Sequence, residues 1–509
     1  MSSDPALKAL TDEQLVAAGT SCSRVFIEAA PGSGKTTVAA QRFGVLRYTQ
    51  RVLPNGRPDS RAVVAVSFTR SATWELRQRV RRSWGPTALT WPHRICTLDT
   101  LLCDLLQDLL LCGLVQWPGG HTTLEVHDSW KVLVRHGFTK IEWGVSVDST
   151  GHIFVGQRRH EKGAPRPEPA LMKAAVRAGR CTHDDVRRVL TLSLRRPEVQ
   201  ARVTDRLRQT IHSLIVDEVY DANSLDLALI TSVVRAGSQV TVIGDPWQAL
   251  YGFRGAKPDK VPELIADADM ETLPLSRSFR WRSNEQRALA EDLRAGHGIS
   301  LPHKELNSDC DVVLAGVWDD LWTVSESVLP LAWVSAKGNL VEAATTLLLN
   351  QVAVDLLGVE ATFLADALAT LGITDRAAIE RLESPFAELL AALAEATTAK
   401  QFNDGYYSLI AAISQESARE FPPKAHANYT GRLRRLAPRL RLGDRACIPG
   451  MTVHQAKGRE WDHVGIRLTD PDRDILAGGL DPMLESHRSL YVACTRARYS
   501  TVEILVGSI

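Results

Sequence analysis

Val25-Phe26-Ile27-Glu28-Ala29-Ala30-Pro31-Gly32-Ser33-Gly34-Lys35-Thr36-Thr37 runs from an apolar, β-prone stretch through a glycine-punctuated loop into a helical segment. Strand, glycine loop and helix in that order form the context of a phosphate-binding loop. Gly32 and Gly34 lack a Cβ, so backbone N–H groups can turn toward an anion at close range. The following helix adds the positive end of its dipole. In this reading Lys35 reaches the β- and γ-phosphates of ATP, and Thr36 places its hydroxyl on Mg2+. Ala29 stands where the strict pattern opens with glycine.

Two later runs extend the pattern. Ser213-Leu214-Ile215-Val216 ends in Asp217-Glu218, and Val240-Thr241-Val242-Ile243-Gly244-Asp245 leads into Pro246-Trp247-Gln248. Asp217 is read as the carboxylate that holds Mg2+. Glu218 is read as the group that orients or deprotonates the attacking water. Apolar strands separated by helical segments indicate a parallel α/β sheet, whose ligands sit at the carboxyl ends of the strands.

Composition narrows the class. The chain has 509 residues, room for three or four domains, with 44% hydrophobic and 23% charged residues. Sixty Lys+Arg against 59 Asp+Glu leave a net charge of +1, so nucleic acid, if bound, must use a local groove. The chain reads as free of membrane spans, with no run of about 18 uncharged apolar residues. Its start, MSSDPALKALTDEQ, has no apolar core, so no secretory signal is expected. Eight scattered cysteines without a C-x-x-C pair argue against zinc and against a disulfide framework, and a cytoplasmic location is the expectation.

The whole series resembles the UvrD/Rep (superfamily 1A) helicases. Thr11-Asp12-Glu13-Gln14 is similar to the Q motif. Val66-Ser67-Phe68-Thr69-Arg70-Ser71-Ala72 resembles motif Ia, and Thr97-Leu98-Asp99-Thr100-Leu101 the DNA-contacting motif after it. The segment from Ile243 to Ala256 resembles motif III, and Leu275-Ser276-Arg277-Ser278-Phe279-Arg280 motif IV. Met451 to Trp461 resembles motif V, and Ser489 to Arg498 motif VI.

That resemblance implies the fold class: α/β, two RecA-like parallel-sheet motor domains with mainly helical accessory insertions. It places motor domain 1A at 1–101 and 191–285, accessory domain 1B at 102–190, motor domain 2A at 286–344 and 446–509, and a reduced helical domain 2B at 345–445. Ala29 through Thr37 would cradle ATP, with Gln14 reading adenine, Phe279 stacking on it, Glu460 contacting the ribose and Gly458 lying beside it. Gln248, Arg280 and Arg496 would sense the γ-phosphate, because charge on a transferring phosphoryl group needs fixed cationic donors. ATP would draw the two motor domains together and hydrolysis would release them, moving the chain 3′ to 5′. Chemistry alone leaves Arg280 and Arg496 open as surface cations.

Single-stranded or 3′-tailed DNA is the implied partner. Phe68, Tyr251 and Phe253 would stack bases, Arg254 would couple DNA to the ATP site, and Thr69, Arg70, Thr97, Thr452 and His454 would line the strand. Phe68 and Phe253 also sit beside apolar runs, so a core role stays open for both. Four departures stand out: Tyr220 in place of the usual Gln, Asp99 in place of His, Ser278 in place of Asn, and Trp281 where Ser is common.

The basic, Gly/Pro-punctuated stretch from Gly156 to Pro167 reads as a loop. Arg432, Arg434, Arg435, Arg439 and Arg441 read as a solvated helix face or a DNA patch, with Pro438 expected to interrupt any single helix there. The sequence ends soon after the strand Thr501 to Val506, and no nuclease domain is expected. This compactness is similar to that of GajB, the helicase-like subunit of the Gabija anti-phage system, which works beside a separate nuclease. The second reading is therefore a nucleotide-regulated, DNA-sensing subunit that controls a partner nuclease with little unwinding.

Overall fold

The computed structural model describes residues 10–49, 56, 59–128, 130, 141–160, 170–252, 255–305, 310–333, 339–373, 375–417, 421, 427–442 and 447–505. Phe253 and Arg254, residues 161–167 of the basic stretch, and Val506 lie outside them. The chain divides into two compact units, Met1–Phe279 and Arg280–Ile509. Residues 280–285, assigned to the first motor domain from sequence, fall in the second unit.

The first unit contains strands β1 (Arg24–Ala29), β2 (Ala62–Ser67), β3 (Arg94–Thr97), β4 (Glu125–His127), β5 (Ile141–Val147), β6 (Ile153–His160), β7 (Arg180–Thr182), β8 (Ile211–Asp217), β9 (Gln239–Gly244) and β10 (Glu271–Leu275). Six of them form one sheet, ordered β10-β1-β9-β8-β2-β3, in which every neighbouring pair is parallel. Alternate side chains point to opposite faces, and both faces are covered. Val64 and Val66 of β2 join a core with the helix Leu98–Leu111, whereas Val63 and Ala65 join one with Val38 and Phe43 of the helix Lys35–Tyr48. That covering explains why β2 is buried along its full length.

A buried arginine that the sequence reading passed over ties this sheet to its flank. Arg42 donates to Thr241 Oγ1 at 2.6 Å and to the carbonyls of Ala18, Thr20 and Cys22. Burial lowers its pKa to about 10, so it stays charged.

The loop reading of 156–167 is corrected in its first part. Gly156 to His160 belong to β6, which pairs antiparallel with β5. Val155 opposite Val145 and Ile153 opposite Val147 supply the apolar pairs that hold the ribbon in register.

The second unit contains β11 (His303–Lys304), β12 (Val312–Ala315), β13 (Val328–Pro330), β14 (Ile448–Thr452), β15 (Trp461–Ile466) and β16 (Ala497–Ile504). They form a second parallel sheet, ordered β11-β16-β15-β12-β14-β13. Between β13 and β14 the chain runs through helices Leu340–Leu357, Leu364–Leu371, Arg376–Glu395, Ala399–Glu416 and Ala427–Arg441. Helix Leu340–Leu357 has the length and composition to cross a membrane, but more than half of it is buried inside the unit.

One expectation about this region is overturned and a second is corrected in part. Pro438 lies inside the continuous helix Ala427–Arg441. An internal proline costs about 3 kcal/mol, and here buried Leu433, Leu436 and Ala437 before it and buried Arg439 after it hold both sides in line. The solvated-face reading holds for Arg434, Arg435 and Arg441, which are exposed, and fails for the buried Arg439. Arg439, only 3% exposed, donates to the carbonyls of Val328, Trp322, Ser325 and Arg435 and lies over the Trp322 ring. Arg432 pairs with Glu342, Arg435 with Asp319, and Arg441 binds the carbonyls of Ala394 and Ala396. These guanidiniums peg the helix to its neighbours.

Candidate nucleotide site and nucleic-acid face

In the first unit the loop after β1 is held from several sides. Ala30 N–H donates to Leu275 O at 3.0 Å, and Phe279 N–H donates to Gly32 O at 2.9 Å. Gln14 accepts from Thr11 N–H while its amide donates to Ser33 O at 2.9 Å. Gly32 and Gly34 both have positive φ, and a Cβ on Gly34 would lie 2.8 Å from Gln14 Nε2. The glycine requirement at Gly34 is therefore real: left-handed backbone and a close neighbour coincide. Helix Lys35–Tyr48 starts immediately after it.

Lys35 Nζ lies 3.7 Å from Glu218 Oε1. Glu218 itself, at the end of β8, is held at φ 61, a left-handed conformation that costs a residue with a side chain. Asp217 is 4% exposed, and its Oδ1 has no hydrogen-bond partner among the described residues. Burial, then the neighbouring Glu218 charge, push its pKa up to about 7, while Lys35 pulls the other way. A buried carboxylate oxygen with no donor fits a cation ligand. Among the described residues no group of three or more His, Cys, Asp and Glu forms a metal cage. That agrees with Mg2+, which keeps most of its water and takes one or two protein groups plus substrate phosphates. The unpartnered Asp217 oxygen fits such an ion as a protein group. Ser33 Oγ in the same loop is also buried without a partner.

Gln248 Nε2 donates to Asp245 Oδ2 at 2.7 Å, and Asp245 also caps the turn Pro246–Gln248. Tyr220, the departure in motif II, is buried with its ring edge-on to Phe26 and against Gly244. Asp99, which stands in place of the usual His, accepts from Arg187 at 2.7 Å, and Arg187 also binds buried Asp226. Its role is to anchor the helix His183–Ser193. The sequence reading missed two links. Arg79, gripped by Glu75, donates to Thr37 Oγ1 at 3.0 Å, and Ser276 donates to Glu13, holding that carboxyl below its ordinary pKa. The i, i+4 spacing of Glu75 and Arg79 was the available clue.

Along the proposed strand face, Thr69 caps the helix Arg70–Trp84 and Thr97 caps Leu98–Leu111. Arg70 is exposed and paired with exposed Asp128. Phe68 is half-buried against the core, so both of its open roles touch the same ring, and Tyr251 is half-buried. Phe279 is exposed, with Arg277 over its ring.

In the second unit, Arg280 donates to Glu460 at 3.2 Å and to Thr495 O at 2.9 Å, and Arg498 lies 3.8 Å from Glu460. Arg496 is fully buried and donates to Val492 O, which overturns its reading as a surface cation. Thr452 is buried at the end of β14, His454 is half-buried beside it, and Gly458 has φ 84.

An AAA domain family model matches residues 13–254. DNA helicase II of Escherichia coli (strain K12) is 24% identical over 306 residues, 55% of this chain and 39% of that protein. ATP-dependent DNA helicase UvrD2 of Mycobacterium tuberculosis (strain ATCC 25618 / H37Rv) is 23% identical over 561 residues, 98% of this chain and 79% of that one. ATP-dependent DNA helicase Rep of Salmonella typhimurium is 25% identical over 268 residues, 50% of this chain and 38% of that one. The match thus spans less than half the length of the helicase II and Rep relatives. A solved structure titled "Structural Basis for DNA Unwinding at Forked dsDNA by two coordinating Pif1 helicases" is 14% identical with a TM-score of 0.24, covering 61% of this chain and 56% of that one, a likeness too loose to bear on the fold.

Proposed function

We propose that this chain, a UvrD-like member of the superfamily 1 helicases, hydrolyses Mg-ATP and couples it to 3′ to 5′ movement on single-stranded DNA. The observation that carries the nucleotide half is the buried, unpartnered Asp217 oxygen at the strand end, beside Glu218 and its 3.7 Å neighbour Lys35. In this reading Mg2+ supplies charge neutralisation for the terminal phosphates. Lys35 leaves Glu218 for the β- and γ-phosphates, which frees the Glu218 carboxylate to take a proton from the attacking water. Thr36 and Asp217 hold the metal, and Gln248 senses the phosphate from β9. Arg280 and Arg496 supply the fixed positive charge that the leaving β-phosphate needs. Gln14 and Phe279 take adenine, Gly458 and Glu460 the sugar side. Phe68, Thr69, Arg70, Thr97, Tyr251, Phe253, Arg254, Thr452 and His454 hold the strand, in a cytoplasmic enzyme.

A second reading, a DNA-sensing subunit that regulates a partner nuclease in phage defence or repair, draws on Tyr220. Its ring is locked in the core, so it lacks the amide that would relay ATP state toward motif III. One experiment tests both: ATP turnover of the full chain with and without single-stranded DNA, beside strand displacement on 3′- and 5′-tailed duplexes. Stimulated turnover with displacement only on the 3′ tail is expected. Stimulation without displacement favours the regulatory subunit, and turnover unchanged in Lys35→Ala overturns the pocket.

A further inference from the structure

Helix Arg70–Trp84 carries an unusual exposed stripe. Positions i, i+4, i+7 and i+11 of a helix share one face, and here they are Arg70, Trp74, Arg77 and Arg81, all exposed. The indole of Trp74 is 62% exposed, and no described residue stacks on it. Arg77 is fixed in place by two bonds to Ile95 O. Among the described residues Arg70 is engaged by the exposed Asp128, a pairing of the kind that is worth little in water and is readily exchanged for a phosphate. Arg81 has no carboxylate partner among the described residues. The helix holds five arginines against one glutamate, in a chain whose net charge is only +1. The cationic charge is concentrated where the apolar ring is exposed.

We propose that this stripe is a DNA track in its own right, Trp74 stacking a base and Arg70, Arg77 and Arg81 meeting the flanking phosphates. It rests on the reading that the chain binds single-stranded DNA, and it extends the already assigned Arg70 by three residues, Trp74, Arg77 and Arg81, that no motif assigned above uses. Arg70 to Arg81 spans about 16 Å at 1.5 Å per residue, room for two or three extended nucleotides. Phe68, just ahead of the helix, gives half its ring to the core, whereas Trp74 offers most of its face. A sequence-tolerant contact needs this pairing of aromatic face and cations. A protein-docking face would not need a row of arginines in which Arg77 and Arg81 have no carboxylate partner among the described residues.

The test uses the full chain with oligothymidylate and with an abasic strand of equal length, affinity being read by fluorescence anisotropy at fixed salt. Base stacking predicts that Trp74→Ala weakens oligothymidylate binding about tenfold and leaves abasic binding unchanged, while Trp74→Tyr keeps most of the affinity. Arg81→Gln lowers the salt dependence of both by about one ion. Equal affinity of Trp74→Ala and the parent, or an equal loss on both strands, overturns the stacking track. Failure of the parent chain to bind either strand instead sinks the DNA reading on which it rests.

Discussion

Replacing Asp217 by Asn should stabilise the metal-free protein while ending ATP hydrolysis. The carboxyl is buried, and its pKa of about 7 stands against an ordinary value of 3.8. That gap, at about 1.4 kcal/mol per pH unit, corresponds to about 4 kcal/mol. The sign follows from proton linkage. The folded state holds the proton more tightly than the unfolded one, so stability falls as pH rises from about 4 to about 7, then levels off. Asparagine does not ionise and escapes this loss, although its buried amide can cost about 1–2 kcal/mol. The expected gain at pH 8 is therefore about 2–4 kcal/mol, shrinking by about 2–3 kcal/mol at pH 5. Urea denaturation in EDTA at both pH values, following the transition of the first unit, measures this directly. Adding Mg2+ at pH 8 should stabilise the parent and not the variant. A stability difference that stays flat between pH 5 and pH 8 would refute the claim that burial and the Glu218 charge outweigh Lys35 at Asp217.

Other outcomes follow from the same geometry. Arg439→Ala removes a buried guanidinium bound to four carbonyls and should destabilise the second unit by about 3–5 kcal/mol; an unchanged melting curve contradicts the peg assignment. Arg187→Ala strands buried Asp226 and should cost about 3–5 kcal/mol at neutral pH. Burial already raises the Asp226 pKa, so acidification that protonates it should restore part of the loss, as stability measured from pH 5 to pH 8 would show. Gly34→Ala imposes about 1–2 kcal/mol of left-handed strain and pushes on the Gln14 amide. Nucleotide affinity measured by calorimetry should drop while the secondary structure by circular dichroism stays intact.

Local rules determined much of this molecule from sequence. Gly32 and Gly34 before Lys35, and apolar strands ending in Asp217 and Gln248's turn, are short-range patterns, and their chemistry does not depend on distant neighbours. The α/β character with parallel sheets followed from the same runs, because strands buried on both faces read as continuous apolar stretches. Tertiary structure decided what long-range partners decide. Arg439 and Arg432 look like surface charge in one dimension, and only the carbonyls and Glu342 brought to them by other segments make them a buried and a half-buried peg. Pro438 sits in an unbroken helix because packing on both sides outweighs a local penalty. Asp99 makes sense only beside Arg187, 88 positions away in the chain. Burial sets the energy of a charge, and burial is a property of the folded whole.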